Sequence, residues 1–117
     1  MRDNAKGGAL TEVTFTILLA LYTPRHGYAV MQFIEELTGG RLALGAGTLY
    51  GALNTLQEKG WIEPLGGGAR KKEFVITALG REAAERELAR LQALASAAAE
   101  IMGGALWEKS DIATSPA

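Results

Sequence analysis

The sequence predicts a mainly α-helical fold with a small β-hairpin, arranged as a winged helix-turn-helix that is followed by a long C-terminal helix. Three observations predict it. An amphipathic helix with an uncharged outer side spans about residues 45–60, and a glycine-rich basic hairpin follows it directly. A final helix, from about residue 78, is too long for a small core to cover.

The helix predicted over residues 45–60 has two different sides. Its inward stripe consists of apolar residues at helical spacing, Leu49, Ala52, Leu53 and Leu56. Its other side is small or polar and uncharged, with Gly47, Thr48, Gly51, Asn54 and Thr55. An ordinary surface helix would carry Glu and Lys there. A nearly flat, uncharged side suits close approach to another surface, such as the major groove of DNA.

The hairpin, which we call the wing, is predicted from strands at residues 61–65 and 72–76 around a glycine-rich loop. Pro64 restricts the first strand to an edge of a sheet. Three adjacent cations lie where the loop meets the second strand, Arg70 and Lys71 in the loop and Lys72 at the start of the strand. Such a cluster is either a solvated turn or a phosphate-binding tip, and its place beside the uncharged helix favours phosphate binding. Phosphate contacts position a protein on DNA without reading sequence.

Two helices are predicted to precede this region. The first runs from about Thr11 to Thr23 with Thr11 as its N-cap, and the second from about Tyr28 to Thr38. Residues 23–27 contain Pro and Gly and are predicted to form a turn, with His26 as a turn residue. Phe15 and Leu19 widen the apolar stripe of the first helix and predict a subunit contact.

The final helix is predicted from about Ala78 to Met102, with Thr77 as its cap. A helix of ~25 residues is roughly 37 Å long, because each residue adds about 1.5 Å. Its apolar line needs a partner, and a second copy of the chain is the simplest one. The predicted dimer interface comprises Phe15, Leu19, Leu88, Leu91, Ala95, Ala98 and Met102.

The predicted organisation has four parts. Residues 1–9 form a flexible arm, 10–77 the winged helix-turn-helix, 78–103 the dimerisation helix and 104–117 a flexible tail. Trp107, in that tail, is interpreted either as an exposed side chain or as one that covers a ligand or fills a groove of the partner.

Composition limits the classes of function. The 117 residues carry a net charge of −1 and are 48% hydrophobic, which indicates one globular domain. That charge argues mildly against a nucleic-acid partner, although the distribution of charge matters more than its sum. The chain has no cysteine and one histidine. We therefore expect no metal, no cofactor and no enzyme activity, and, with no signal peptide or membrane span recognisable, a cytoplasmic protein.

Four motifs resemble the PadR-like family of bacterial transcription regulators over about residues 10–103. They are Leu21 with His26-Gly27-Tyr28; Gly47-Thr48-Leu49-Tyr50 with Leu53 and Leu56; Lys59-Gly60-Trp61-Ile62-Glu63; and Arg70-Lys71-Lys72-Glu73-Phe74-Val75-Ile76-Thr77-Ala78-Leu79-Gly80. The resemblance implies a homodimeric repressor that binds a palindromic operator in double-stranded DNA. It also implies release of DNA on binding a small effector, aromatic or drug-like. Its implied DNA-binding residues are Tyr28, Gly47, Thr48, Tyr50, Asn54, Arg70, Lys71 and Lys72.

A second hypothesis remains open from the sequence. The same scaffold, with its neutral helix and slightly acidic balance, suits a ligand-binding or protein-interaction module that does not bind DNA tightly. Specific, salt-dependent DNA binding would separate the two hypotheses.

Overall fold

The computed structural model describes residues 8–66 and 72–103. In chain order it contains α1 (Glu12–Ala20), β1 (Arg25–His26), α2 (Gly27–Leu37), α3 (Ala46–Glu58), β2 (Ile62–Leu65), β3 (Glu73–Ile76) and α4 (Ala78–Ile101). The chain forms two compact units, one ending at Glu87 and one beginning at Leu88. The predicted class, mainly helical with a small antiparallel sheet in winged-helix order, is confirmed.

Helix α1 begins as predicted and ends three residues early. The hydroxyl of Thr11 accepts a hydrogen bond from the Thr14 amide at 3.1 Å, which is an N-cap. The helix ends at Ala20 and not at Thr23 because the chain turns there to meet the sheet. The Leu21 carbonyl accepts a hydrogen bond from the Ile76 amide at 2.9 Å.

The sheet has three antiparallel strands in the order β1–β3–β2. Strand β1 lies where the sequence predicts only a turn, with Arg25 opposite Phe74 and His26 opposite Glu73. Two residues are too few to show the alternation by which strands are recognised. On the other side of β3, strand β2 is an edge strand, and Pro64 is accommodated there as predicted.

One apolar core holds α3 in place. It is built from fully buried side chains of α1 and the residue after it, α2, α3 and the sheet, namely Ile17, Leu18, Leu21, Val30, Ile34, Leu49, Leu53, Leu56 and Ile62. Trp61, at the base of the wing, packs partly buried against this cluster. The inward stripe of α3 is therefore buried as the sequence predicts, and the opposite side of the helix is directed away from the core.

A single hydroxyl joins the base of the wing to the start of α4. Thr77 Oγ1 donates to the Gly60 carbonyl at 2.6 Å and accepts from the Gly80 amide at 3.1 Å. The second bond is the predicted cap of α4, and the first ties that cap to the residue after Lys59, the C-cap of α3.

Replacing Thr77 by valine is expected to lower the free energy of unfolding by about 1–2 kcal/mol, because both hydrogen bonds are lost while the shape is kept. Thr77→Ser keeps the hydroxyl and is the matched control. Urea unfolding followed by circular dichroism measures both variants. Equal stability of the valine and serine variants would contradict the assigned role of the hydroxyl.

The part of α4 in the first unit is packed against that unit. Gly80, Ala83 and Ala84 are buried, and so is Glu87, which is only 4% exposed. Glu87 Oε1 accepts a hydrogen bond from the Leu10 amide at 3.1 Å. Glu87 thus attaches the segment that precedes α1 to α4 and is not part of the solvent-exposed surface.

The part of α4 in the second unit exposes large apolar side chains. They are Leu88, Leu91, Leu94 and Ile101, followed by Met102 just after the helix. Across residues 8–66 and 72–103, no helix combines the length and the apolar character that a membrane crossing requires.

Candidate nucleic-acid interface

The outer side of α3 is exposed and carries no charge before Glu58 at its last position. Gly47, Thr48 and Asn54 all lie on this surface. Thr55 is half-buried, and its hydroxyl donates to the Gly51 carbonyl at 3.2 Å, so it is occupied within the helix. Thr48 and Asn54, and Gln57 in the last turn, therefore offer polar groups with which this helix can reach another molecule.

Tyr50 lies between the surface of α3 and the start of α2. Its side chain is 47% exposed, and its hydroxyl lies against the backbone of Gly27, the first residue of α2. A Cβ built on Gly27 would be 2.6 Å from Tyr50 Cζ, which is closer than real Cβ contacts come. One edge of the ring is thus packed on α2 and the remainder faces outward.

The start of α2 is capped by His26. Its Nδ1 accepts a hydrogen bond from the Ala29 amide at 3.3 Å, so the residue predicted to lie in a turn also serves as an N-cap. Tyr28, in the first turn, is 60% exposed. Exposed aromatic hydroxyl groups and the free amides of a helix start are groups that bind phosphate oxygens.

Of the three cations of the wing, Lys72 falls in the described part of the chain. It is exposed, immediately precedes β3, and its Nζ is 6.0 Å from the centroid of the Phe74 ring. Arg70 and Lys71 lie outside the described residues. Glu73, the next residue, is half-buried in the sheet between β1 and β2.

An ion pair attaches the α2–α3 linker to α1. The Arg41 guanidinium donates to both carboxylate oxygens of Glu12, one of them at 3.1 Å. The hydrogen bonds from Arg41 lower the pKa of Glu12, and the same contact raises the pKa of Arg41. Because the pKa of the carboxyl is lowered in the folded state, this contribution is present above its ordinary value and is lost as pH falls through the lowered one. Both side chains are exposed, so the contribution to stability is small.

The residues predicted to form a dimer interface belong to both compact units. In the first unit, Phe15 packs partly buried against the core and Leu19 is half-buried. In the second unit, Leu88, Leu91, Ala95 and Met102 are exposed and Ala98 is half-buried. Trp107 lies outside the described residues, as do residues 1–7 of the predicted arm and the tail from residue 104.

The chain has the elements of a winged helix-turn-helix protein. Helices α1, α2 and α3 pack with a three-stranded sheet, and two strands of that sheet form the wing that follows α3. The profile of the family described as "Transcriptional regulator PadR-like family" matches residues 17–86, which is more than half of the chain. The chain belongs to the PadR-like family of transcriptional regulators. Proteins of this class act on DNA.

Solved structures share this fold, and a curated protein is similar to part of the chain. RosR of H. salinarum is 28% identical and superposes with a TM-score of 0.65, covering 78% of this chain and 79% of RosR. A PadR family transcriptional regulator from Eggerthella lenta is 21% identical with a TM-score of 0.64, covering 78% of this chain and 81% of its own, and shows the shared fold. An uncharacterized 37.1 kDa protein in transposon TN4556 of Streptomyces fradiae is 47% identical over 64 residues. That match covers 55% of this chain and only 18% of the transposon protein.

Proposed function

We propose that this protein is a homodimeric repressor that binds a palindromic operator in double-stranded DNA with α3 as its recognition helix. The observation that carries the proposal is the outward, uncharged side of α3, held by a buried stripe on the opposite side. A helix of this kind can enter a major groove without presenting carboxylates to phosphates. The proposed DNA-contacting residues are Tyr28, Gly47, Thr48, Tyr50, Asn54, Arg70, Lys71 and Lys72.

These residues divide between two tasks. Thr48 and Asn54 are exposed on α3, and we assign them contacts to base edges, directly or through water. Gly47 has no side chain, so the backbone of α3 can approach DNA closely there; a Cβ at this position would meet nothing within 4 Å in the free protein, so the position faces outward. Tyr28 and the cations of the wing contact phosphates on the two sides of the groove and fix the position of α3 in it.

The net charge of −1 predicts modest, strongly salt-dependent affinity. The acidic residues do not interrupt the proposed surface of α3 before Glu58. Glu82 and Glu85 are exposed on α4, and Glu12 is neutralised by Arg41. Local charge at the wing thus supports binding although the whole chain is slightly acidic.

Fluorescence anisotropy with the DNA upstream of the protein's own gene, and with shuffled DNA of equal length, tests the proposal. We expect preference for the upstream DNA and a linear fall of log affinity with log salt concentration. Equal, weak binding to both DNAs even at low salt would reject DNA recognition and favour a ligand-binding or protein-interaction module on the same scaffold.

Lys72→Ala is expected to reduce the slope of log affinity against log salt concentration by about 0.9, because one phosphate contact is lost. The affinities for upstream and shuffled DNA should fall by the same factor, since a phosphate contact carries no sequence information. The exposed cation Arg86 on α4 provides the control variant Arg86→Ala, for which we expect no change of slope. A changed preference between the two DNAs would contradict a purely positioning role for Lys72.

The proposed dimer depends on the exposed leucines of the second half of α4. Leu88 and Leu91 lie one turn apart, and large apolar side chains at such spacing bury against a matching helix. Two copies related by a two-fold axis would also present two recognition helices to a palindromic site. We include Phe15, Leu19, Ala95, Ala98 and Met102 in the proposed interface.

Leu91→Glu is expected to shift the protein from dimer to monomer in sedimentation-velocity runs, because it places a charge in the apolar interface. Gln92→Glu adds the same charge at the neighbouring exposed position and should leave the dimer intact. A dimer that persists in Leu91→Glu with the dissociation constant of the parent protein would exclude this part of α4 from the interface.

The effector and the sign of regulation follow from the family resemblance. We propose that a small aromatic or drug-like compound binds near the dimer interface and favours a dimer geometry in which the two recognition helices no longer match the operator. A regulator of this kind works in the cytoplasm, with the chromosome. A reporter gene under the upstream promoter tests repression. Its expression should be higher in a strain that lacks the regulator than in the intact strain. In the intact strain, its expression should also increase when the effector is added.

A further inference from the structure

Gly27 occupies a position where the structure leaves no room for a side chain. It is buried at the first position of α2, directly after the capping residue His26. A Cβ at this position would be 2.6 Å from Cζ and 3.2 Å from Cε1 of Tyr50, and closer still to its hydroxyl oxygen. The side-chain site of residue 27 is therefore filled by an aromatic ring that comes from α3.

The requirement at residue 27 is for space and not for an unusual backbone. Gly27 is absent from the glycines with positive φ, which are Gly8, Gly39, Gly40, Gly60 and Gly103 among the described residues. Alanine can adopt the helical backbone of α2 at this position. The neighbour that alanine would displace is the end of a side chain that is 47% exposed, and such a side chain can move outward at small cost.

We propose that Gly27 is a positioning residue for DNA recognition, acting through Tyr50. Because Gly27 has no side chain, the edge of the Tyr50 ring packs directly against the backbone of residue 27. The ring therefore protrudes less from the surface that α3 shares with the start of α2. A Cβ at residue 27 pushes the ring outward, to the side of α3 that also carries Asn54, one turn further along the helix, and beside the exposed Tyr28. The glycine thereby sets how closely α3 approaches DNA, while it contributes little to the stability of the fold.

This inference rests on the proposed DNA recognition by α3. Its specific prediction is a dependence between two residues. The effect of alanine at residue 27 should require a ring at residue 50, and should vanish where the ring is absent.

The experiment compares Gly27→Ala in three backgrounds, namely the parent protein, Tyr50→Phe and Tyr50→Ala. Affinity for the upstream DNA is measured by anisotropy, and Tm by circular dichroism. In the parent and in Tyr50→Phe, where the ring edge remains, Gly27→Ala should weaken binding about tenfold with a Tm change of a few degrees at most. In Tyr50→Ala it should change affinity less than about twofold. Gln32→Ala, at an exposed position of the same helix, is the control for alanine substitution in α2.

Two results would overturn the inference. One is a loss of affinity from Gly27→Ala that is equal in all three backgrounds, and the other is no loss in any of them. If the parent protein shows no DNA preference at all, the proposed function fails and the contact is still measurable. Nuclear Overhauser effects between the Tyr50 ring protons and the α-protons of residue 27 should be present in the parent and weakened in Gly27→Ala, and their absence in the parent would reject the contact itself.

Discussion

Gly80→Ala is expected to lower the free energy of unfolding by about 3 kcal/mol, the largest effect of any single change considered for this protein. A Cβ on Gly80 would be 2.8 Å from Ile76 Cγ1 and 3.0 Å from the carbonyl carbon of Trp61, and closer still to the Trp61 oxygen. That oxygen cannot move away freely, since it accepts the Thr77 amide at 2.9 Å. The helix propensity gained by alanine, at most about 1 kcal/mol, only partly offsets the overlap.

Gly51→Ala is the matched control for this prediction. Gly51 is also inside a helix, and a Cβ there meets nothing within 4 Å, so alanine should leave stability equal or raise it by up to about 1 kcal/mol. A loss of about 3 kcal/mol should lower Tm by roughly 10–20 °C for a domain of this size. Thermal unfolding of the two variants at equal concentration makes the comparison. Equal Tm values for Gly80→Ala and Gly51→Ala would show that α4 does not begin so close to Trp61.

The double variant Thr48→Ala/Asn54→Ala is expected to lose specific binding by about 10- to 100-fold, because a base-edge contact is worth about 1–3 kcal/mol of discrimination. Its affinity for shuffled DNA and its Tm should stay near those of the parent, since both side chains are exposed and the phosphate contacts remain. Competition anisotropy with upstream and shuffled DNA measures the two affinities separately.

Gln57→Ala, exposed in the last turn of the same helix, serves as the control for loss of a polar side chain from α3. It should keep the preference for upstream DNA. If the double variant retained that preference while Gln57→Ala lost it, recognition would lie at the C-terminal end of α3 and the proposed orientation of the helix would be wrong.

The helices and the wing were predictable because their signals are local. The stripe of Leu49, Leu53 and Leu56 repeats with the period of a helix, and Thr11 and Thr77 are residue types that cap helices. The early end of α1 and the two-residue strand β1 were not predictable, because both follow from pairing with β3, which lies some fifty residues further along the chain. Long-range pairing leaves no periodic pattern in so short a segment.

The residue types of the candidate site could be predicted from the sequence, but the contacts between those residues could not. The absence of charge on α3 before Glu58 and the three cations of the wing are visible in the sequence. The packing of Tyr50 on Gly27 and of Gly80 on Trp61 is not visible in the sequence. A close contact explains a glycine only when the neighbouring residue in the fold is known. The cap formed by His26 was missed for a related reason, since histidine is not among the residues that sequence rules favour as N-caps.

The hydroxyl of Thr77 also has a mechanical consequence. It grips Gly60, which lies two residues beyond the last residue of α3 and two residues before the first residue of β2. A displacement of the first turn of α4 therefore acts on Gly60, the residue that lies between the end of α3 and the start of the wing. One hydrogen bond, that of Thr77 to Gly60, therefore couples the first turn of α4 both to the end of α3 and to the start of the wing.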